Sequence, residues 1–133
     1  MAFPELSVVE HLRHRVPGLL AVYAFGSRME GTAGPQSDWD LAVLVSGYAD
    51  PVLLWDVAGE LADLLGTEVD LLDFRAASTV MQHQILTRGQ RWWARDVGPS
   101  LFEAAVLSEM TDLNERRAPL MADIARRGSV HGR

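Results

Sequence analysis

Apolar residues recur at helical spacing at the start of the chain, through Leu6, Val9, Leu12 and Val16, so a helix is predicted from Pro4 to about Val16 with His11, Arg13, His14 and Arg15 on its polar side. Pro17 and Gly18 stop it. The run GLLAVYAF that follows is short, apolar and carries valine and aromatic residues, and so reads as a buried strand with Gly26 and Ser27 at its exit. Gly31, Gly34 and Pro35 make the next stretch a loop, with a helical turn over Ser27 to Glu30. Trp39 to Val45 is a second strand. Asp50 then precedes Pro51 as an N-cap precedes a first-turn proline, and the helix runs through Leu54, Val57, Leu61 and Leu64 or Leu65 to Gly66 as its stop. Glu68 to Phe74 is a third strand.

The second half continues the alternation. Ala76 to Arg88 reads as a helix stopped at Gly89, and Gln90 to Arg95 as a short strand in which Trp92 and Trp93 should point opposite ways, one into the core and one toward an edge or interface. Pro99 opens a long helical stretch with a stripe of Phe102, Val106, Met110 and Leu113, read as core ahead of partner surface. Pro119 should kink it before Leu120 and Ile124 carry the apolar face on. Strands alternating with helices predict an α/β sandwich around one sheet. Neither a repeat nor a linker interrupts the sequence, so residues 1–133 read as one domain, with a core over about 17–75, a C-terminal helical part over about 99–127 and a loose tail from Gly128.

Composition removes several chemistries. All twelve basic residues are arginine and cysteine is absent, which excludes a lysine Schiff base, a Walker-type phosphate loop, a thiol nucleophile and a cysteine zinc site. A net charge of −6 argues against direct nucleic-acid binding through a polybasic surface. The start MAFPELSVVE lacks the pattern of a secretory signal, and the longest apolar runs fall far short of the roughly 20 residues that span a bilayer, so a soluble, cytoplasmic protein without membrane attachment is expected. His11 and His14 lie three apart but lack a third ligand and read as a solvated helix face, as do His83 and His131.

The charges are partitioned. Ten acids and no base lie between Met29 and Phe74, whereas nine arginines meet six acids from Arg75 onward. The acidic middle suits a cation, and Arg116, Arg117, Arg126 and Arg127 on the last helical stretch suit docking onto acidic groups of a partner.

Within that middle, Asp38 and Asp40 are two apart on a strand and so point to one face. Two carboxylates about 4 Å apart repel by roughly 4 kcal/mol in a dielectric of about 20, a penalty that a bound cation removes. An all-oxygen site of this kind suits Mg²⁺ or Mn²⁺, with triphosphate oxygens completing the shell. Upstream, Gly26 lets backbone approach a ligand, and Ser27 can offer its hydroxyl and amide to phosphate oxygens. The EVDLLDF strand supplies a third carboxylate: Asp70 and Asp73 face opposite sides, and Asp70, internal to the strand as Asp40 is, is the choice, with Glu68 on its face as the weaker one. Arg28 is placed either to touch phosphate or to lie on the surface.

Gly-Ser, a ten-residue gap and an Asp-x-Asp, set between apolar strands and followed by an acid inside the next strand, resemble the nucleotidyltransferase superfamily that includes DNA polymerase beta and the aminoglycoside nucleotidyltransferases. GSRMEG, SDWDLAVLV and VDLLDF resemble the core of the minimal nucleotidyltransferase (MNT) antitoxins, the MntA family of type VII toxin-antitoxin systems, and HQILTRGQRWW with the segment from Phe102 to Gly128 resembles that family's less distinctive tail. The resemblance implies a small mixed sheet covered by helices with a C-terminal helical extension. It also implies an enzyme that transfers AMP from ATP to a tyrosine of a partner HEPN-domain ribonuclease toxin and silences it, using two Mg²⁺ ions. Asp38 and Asp40 would then hold metal, Asp70 would be the third carboxylate, and Gly26, Ser27 and Arg28 would meet the triphosphate. Met29 departs from the small residue common there. The competing readings are a small-molecule nucleotidyltransferase, for which the chain leaves little room, and an antitoxin that binds without catalysis.

Overall fold

The computed structural model describes residues 4–32, 34 and 37–109. Its elements run α1 (Pro4–Arg15), β1 (Leu19–Phe25), α2 (Ser27–Glu30), β2 (Trp39–Val45), α3 (Pro51–Leu65), β3 (Val69–Asp73), α4 (Thr79–Arg88) and β4 (Gln90–Ala94), followed by a helix, α5, over 98–109. One mixed sheet has the order β3-β2-β1-β4, with β1 antiparallel to both β2 and β4, and β2 parallel to β3. Among the described residues no helix is long and apolar enough to cross a membrane. The stripe residues Met110 and Leu113, the Pro119 kink with Leu120 and Ile124, the arginines from Arg116 to Arg127, and His131 lie outside the described residues.

The two inner strands are apolar at nearly every position because helices cover both faces of the sheet. Val22, Ala24, Leu41, Val43 and Leu71 pack with Val8 and Leu12 of α1 and Leu54, Val57 and Leu61 of α3. The opposite face sets Ala21, Tyr23, Phe25, Ala42 and Leu44 against Phe74 and Ile85, with Phe102 of α5 alongside. α3 begins and ends as its sequence dictates: the Asp50 side chain accepts from the Val52 amide at 2.9 Å, Pro51 fills the first turn, and Gly66 closes the helix at φ 73°.

Three local expectations are corrected. α4 starts at Thr79, later than Ala76, because residues 74–77 are drawn into turns and the Ser78 side chain caps the helix by accepting from the Met81 amide at 3.1 Å. Trp92 and Trp93 do not split between core and surface. Both are half-buried against the α1/α3 side, because the β1–β4 register shifts between Val22 and Tyr23 and leaves Trp92 as an extra residue in the ladder. His11 is only partly solvated and has a partner: its Nε2 lies 2.6 Å from Glu60 of α3, which also accepts from Arg15 Nε at 2.9 Å.

That latch carries a pH signature. Hydrogen bonds from Arg15 and His11 hold the Glu60 carboxyl down at about 2, against an ordinary 4.5. A lowered carboxyl stabilises the fold above its unfolded value, and the contribution disappears as pH falls from 4.5 toward 2. In acid titrations followed by circular dichroism, wild type should lose its stability advantage over Glu60→Gln within that window. An advantage unchanged across the window would remove the latch from the account.

On the other face Tyr23 donates from its hydroxyl to Glu103 of α5 at 2.6 Å, and Arg91 reaches the same carboxylate at 3.0 Å. Burial, followed by the Glu103 bond, raises the Tyr23 hydroxyl far above its ordinary pKa, so it stays a proton donor that ties α5 to the sheet.

Candidate active site

The expected chemistry converges where β1 leaves the sheet. Gly26 takes φ 81° and ψ −164°, a conformation open in practice only to glycine, and turns the chain into α2. Any Cβ at this position would fall 2.1 Å from Asp40 Oδ2 and 2.9 Å from its Cγ, so the Asp40 carboxylate rests directly against the glycine backbone. Phe25 and Asp40 are partners in the β1–β2 ladder, and Asp40 stands opposite Asp70 in the parallel β2–β3 register. Asp38 precedes Asp40 by two residues and is exposed at the entry to β2. Gly26→Ala is therefore expected to cost about 1–3 kcal/mol in thermal unfolding from backbone strain alone, and to displace the Asp40 carboxylate as well. Unchanged stability with unchanged nucleotide transfer would contradict this role of Gly26.

The electrostatics join the same three acids. Burial raises the Asp40 carboxyl above its ordinary value, and the charges of Asp70 and then Asp38 raise it further. Among the described residues no arginine or histidine forms an ion pair with any of the three. Nor do three acidic or histidine side chains close around one point as a preformed ligand cage. The trio is thus an open, all-oxygen, uncompensated anionic site. Such a donor set fits a hard divalent cation that brings further oxygen ligands with it, as a nucleotide-bound ion does.

A profile described as polymerase beta, nucleotidyltransferase, matches residues 8–97, a span that takes in Gly26, Asp38, Asp40 and Asp70. The chain belongs to the polymerase beta nucleotidyltransferase family. It is also a homologue of the protein adenylyltransferase MntA of Shewanella oneidensis, 35% identical over 120 residues, which are 90% of this chain and 86% of MntA. Among solved structures, a chain of a toxin-antitoxin crystal structure with AMP-PNP superposes with a TM-score of 0.81 at 34% identity, over 92% of this chain and 99% of that one. A second match is to a complex of the tri-AMPylated Shewanella oneidensis HEPN toxin with its MNT antitoxin, with a TM-score of 0.75 at 32% identity over 92% of this chain and 96% of that one.

Other residues of the same strands and turns are held by bonds of their own. Asp73 is occupied as a structural acceptor: Oδ2 takes the Ala49 amide at 2.8 Å and Oδ1 the Arg75 amide at 3.0 Å, which fastens the segments leaving β2 and β3. Among the described residues Asp70 makes no such bond to a loop. Arg28 does not extend freely toward a ligand; it donates from Nε and Nη2 to the Ser37 carbonyl at 3.0 and 2.7 Å and lies 4.6 Å over the Trp39 ring. Trp39 in turn meets Trp92 edge-on at 5.7 Å. This clamp at the entry to β2 adjoins Asp38. No spacing signal announces it, because Arg28, Ser37, Trp39 and Trp92 are brought together by the register of three strands. Met29 packs against the α1/α3 core. Ser27 begins α2, where the first amides have no intrahelical acceptor.

Proposed function

We propose that this nucleotidyltransferase is an antitoxin that transfers AMP from ATP to a tyrosine hydroxyl of a HEPN-domain ribonuclease toxin in the cytoplasm, and so neutralises it. The observation that carries the reading is Asp40 facing Asp70 beside the Gly26 turn, in a chain related along nine-tenths of its length to a protein adenylyltransferase. In this reading Gly26 keeps the turn open to the triphosphate, and Ser27 donates its hydroxyl and amide to phosphate oxygens. Arg28 holds the Ser37 carbonyl and so fixes where Asp38 begins. Asp38 and Asp40, with Asp70, would hold two Mg²⁺ ions, or Mn²⁺, that neutralise the triphosphate and favour ionisation of the attacking hydroxyl when bound. Asp70, on the edge strand, orients the tyrosine hydroxyl and accepts its proton as the oxygen attacks the α-phosphorus, the bond from that phosphorus to the bridging α–β oxygen breaks, and pyrophosphate leaves.

Catalytic silencing differs from mere masking in its persistence. Toxin incubated with this chain, ATP and Mg²⁺, then separated from it, should remain inactive against RNA, while toxin treated without ATP should recover. Recovery in both cases would favour an antitoxin that only binds.

A further inference from the structure

We infer that this nucleotidyltransferase takes its acceptor as an added strand: the free edge of β3 and the groove between it and α3 dock an extended segment of the acceptor protein, in which basic residues stand two positions from the modified tyrosine and apolar residues lie between. The inference rests on the transferase reading above for the role of Asp70.

The groove has a volume of about 420 Å³ and is walled by Trp55, Ala58 and Gly59 of α3 and by the four consecutive residues 68 to 71. Successive strand residues point to opposite faces, so a groove that touches four in a row must run along the strand's edge. Among the described residues β3 is the outermost strand of the sheet on that side. Its inward hydrogen bonds identify the outward ones. The Trp39 amide donates to the Glu68 carbonyl at 3.0 Å and the Phe74 amide to the Val43 carbonyl at 2.8 Å, so residues 68, 70, 72 and 74 address β2. Val69 and Leu71 therefore turn their amides and carbonyls outward, a template for one more strand.

The side chains define what that strand carries. Trp55 is 81% exposed beside the groove, an apolar ring without a cover among the described residues. Among the described residues the charged ones lining the groove are both acids, Glu68 and Asp70. Two copies of this chain set edge to edge would bring those acids against their like, which disfavours self-association and favours a basic partner. Glu68 and Asp70 share one face, so an added strand with its tyrosine opposite Asp70 places the residue two positions away opposite Glu68. The residue between them turns to the α3 side, toward Trp55. A basic, apolar, tyrosine sequence is the pattern that satisfies all three.

Two synthetic peptides test this, identical except for Arg or Glu at both positions two away from a central tyrosine. Binding to the full chain is read first, without nucleotide, by fluorescence anisotropy of labelled peptide. The Arg peptide should bind at least about tenfold more tightly than the Glu peptide, and Glu68→Arg should reverse that order. Gly59→Phe fills the groove at a position where no atom lies within 4 Å of a new Cβ. It should abolish binding of both peptides and raise the acceptor KM in AMP transfer at least about tenfold, with ATP affinity unchanged. Absent binding of the Arg peptide at millimolar concentration, equal binding of the two peptides, or indifference to Gly59→Phe overturns the docking edge. So does a wild-type dimer in sedimentation that Gly59→Phe dissociates. Peptide binding with no AMP transfer to any acceptor supports the docking edge and overturns the transferase reading.

Discussion

Asp38→Asn and Asp40→Asn are each expected to reduce AMP transfer by about a thousandfold or more without unfolding the protein, since loss of about 4 kcal/mol of charge stabilisation at a reacting triphosphate has that effect. The structure makes the stability half of this prediction unusual. Asp40 sits partly buried against Gly26 with its charge opposed by Asp70 and Asp38, and its carboxyl is raised for that reason. A raised carboxyl favours the fold only while it is protonated, so that contribution is lost as pH rises through its folded value and the ionised group is a liability at neutral pH. Asparagine is nearly isosteric and uncharged. Metal-free Asp40→Asn should therefore melt at or above the wild-type temperature at pH 7, and the difference should shrink in acid. Transfer at the wild-type rate by both variants with Mg²⁺ present, or a clear loss of metal-free stability in Asp40→Asn, would show that these acids serve the fold and not the chemistry.

The second large effect separates two acids of one strand. Asp70→Asn should lower turnover by about two orders of magnitude or more, as loss of a general base does, while ATP affinity falls by about tenfold or less, or about 1.4 kcal/mol. Asp73→Asn should do the reverse. Its carboxylate accepts the Ala49 and Arg75 amides, so the change should cost about 1–2 kcal/mol of stability with turnover little altered. Transfer assays and thermal melts on the two variants, run together, rank them. A greater loss of turnover in Asp73→Asn would mean that the wrong acid has been given the acceptor.

Much of this arrangement was legible because its signals are local. Asp50 with Pro51 and Gly66 delimited α3, and parity alone separated Asp70 from Asp73, whereas Asp38 lies just ahead of β2, outside the strand whose periodicity put it on one face with Asp40. Register was not legible. That Asp70 stands opposite Asp40, one strand across, depends on how α3 packs and how far β3 slides. The same limit hid the extra residue at Trp92, which turns a local alternation into two rings on one side. It also hid the His11–Glu60 latch and the clamp of Arg28 on Ser37, each of which joins separate elements. Capping explains the misplaced start of α4: several residues after β3 favour helix, and the choice falls to Ser78, whose oxygen satisfies a first-turn amide.

The most direct test of the transferase reading is tandem mass spectrometry of a HEPN-domain toxin after incubation with this chain, ATP and Mg²⁺, with Asp40→Asn run in parallel. AMP is expected on a toxin tyrosine with the wild-type chain and unmodified toxin with the variant. Toxin that stays unmodified with the wild-type chain, or that is modified equally by both, would contradict that reading.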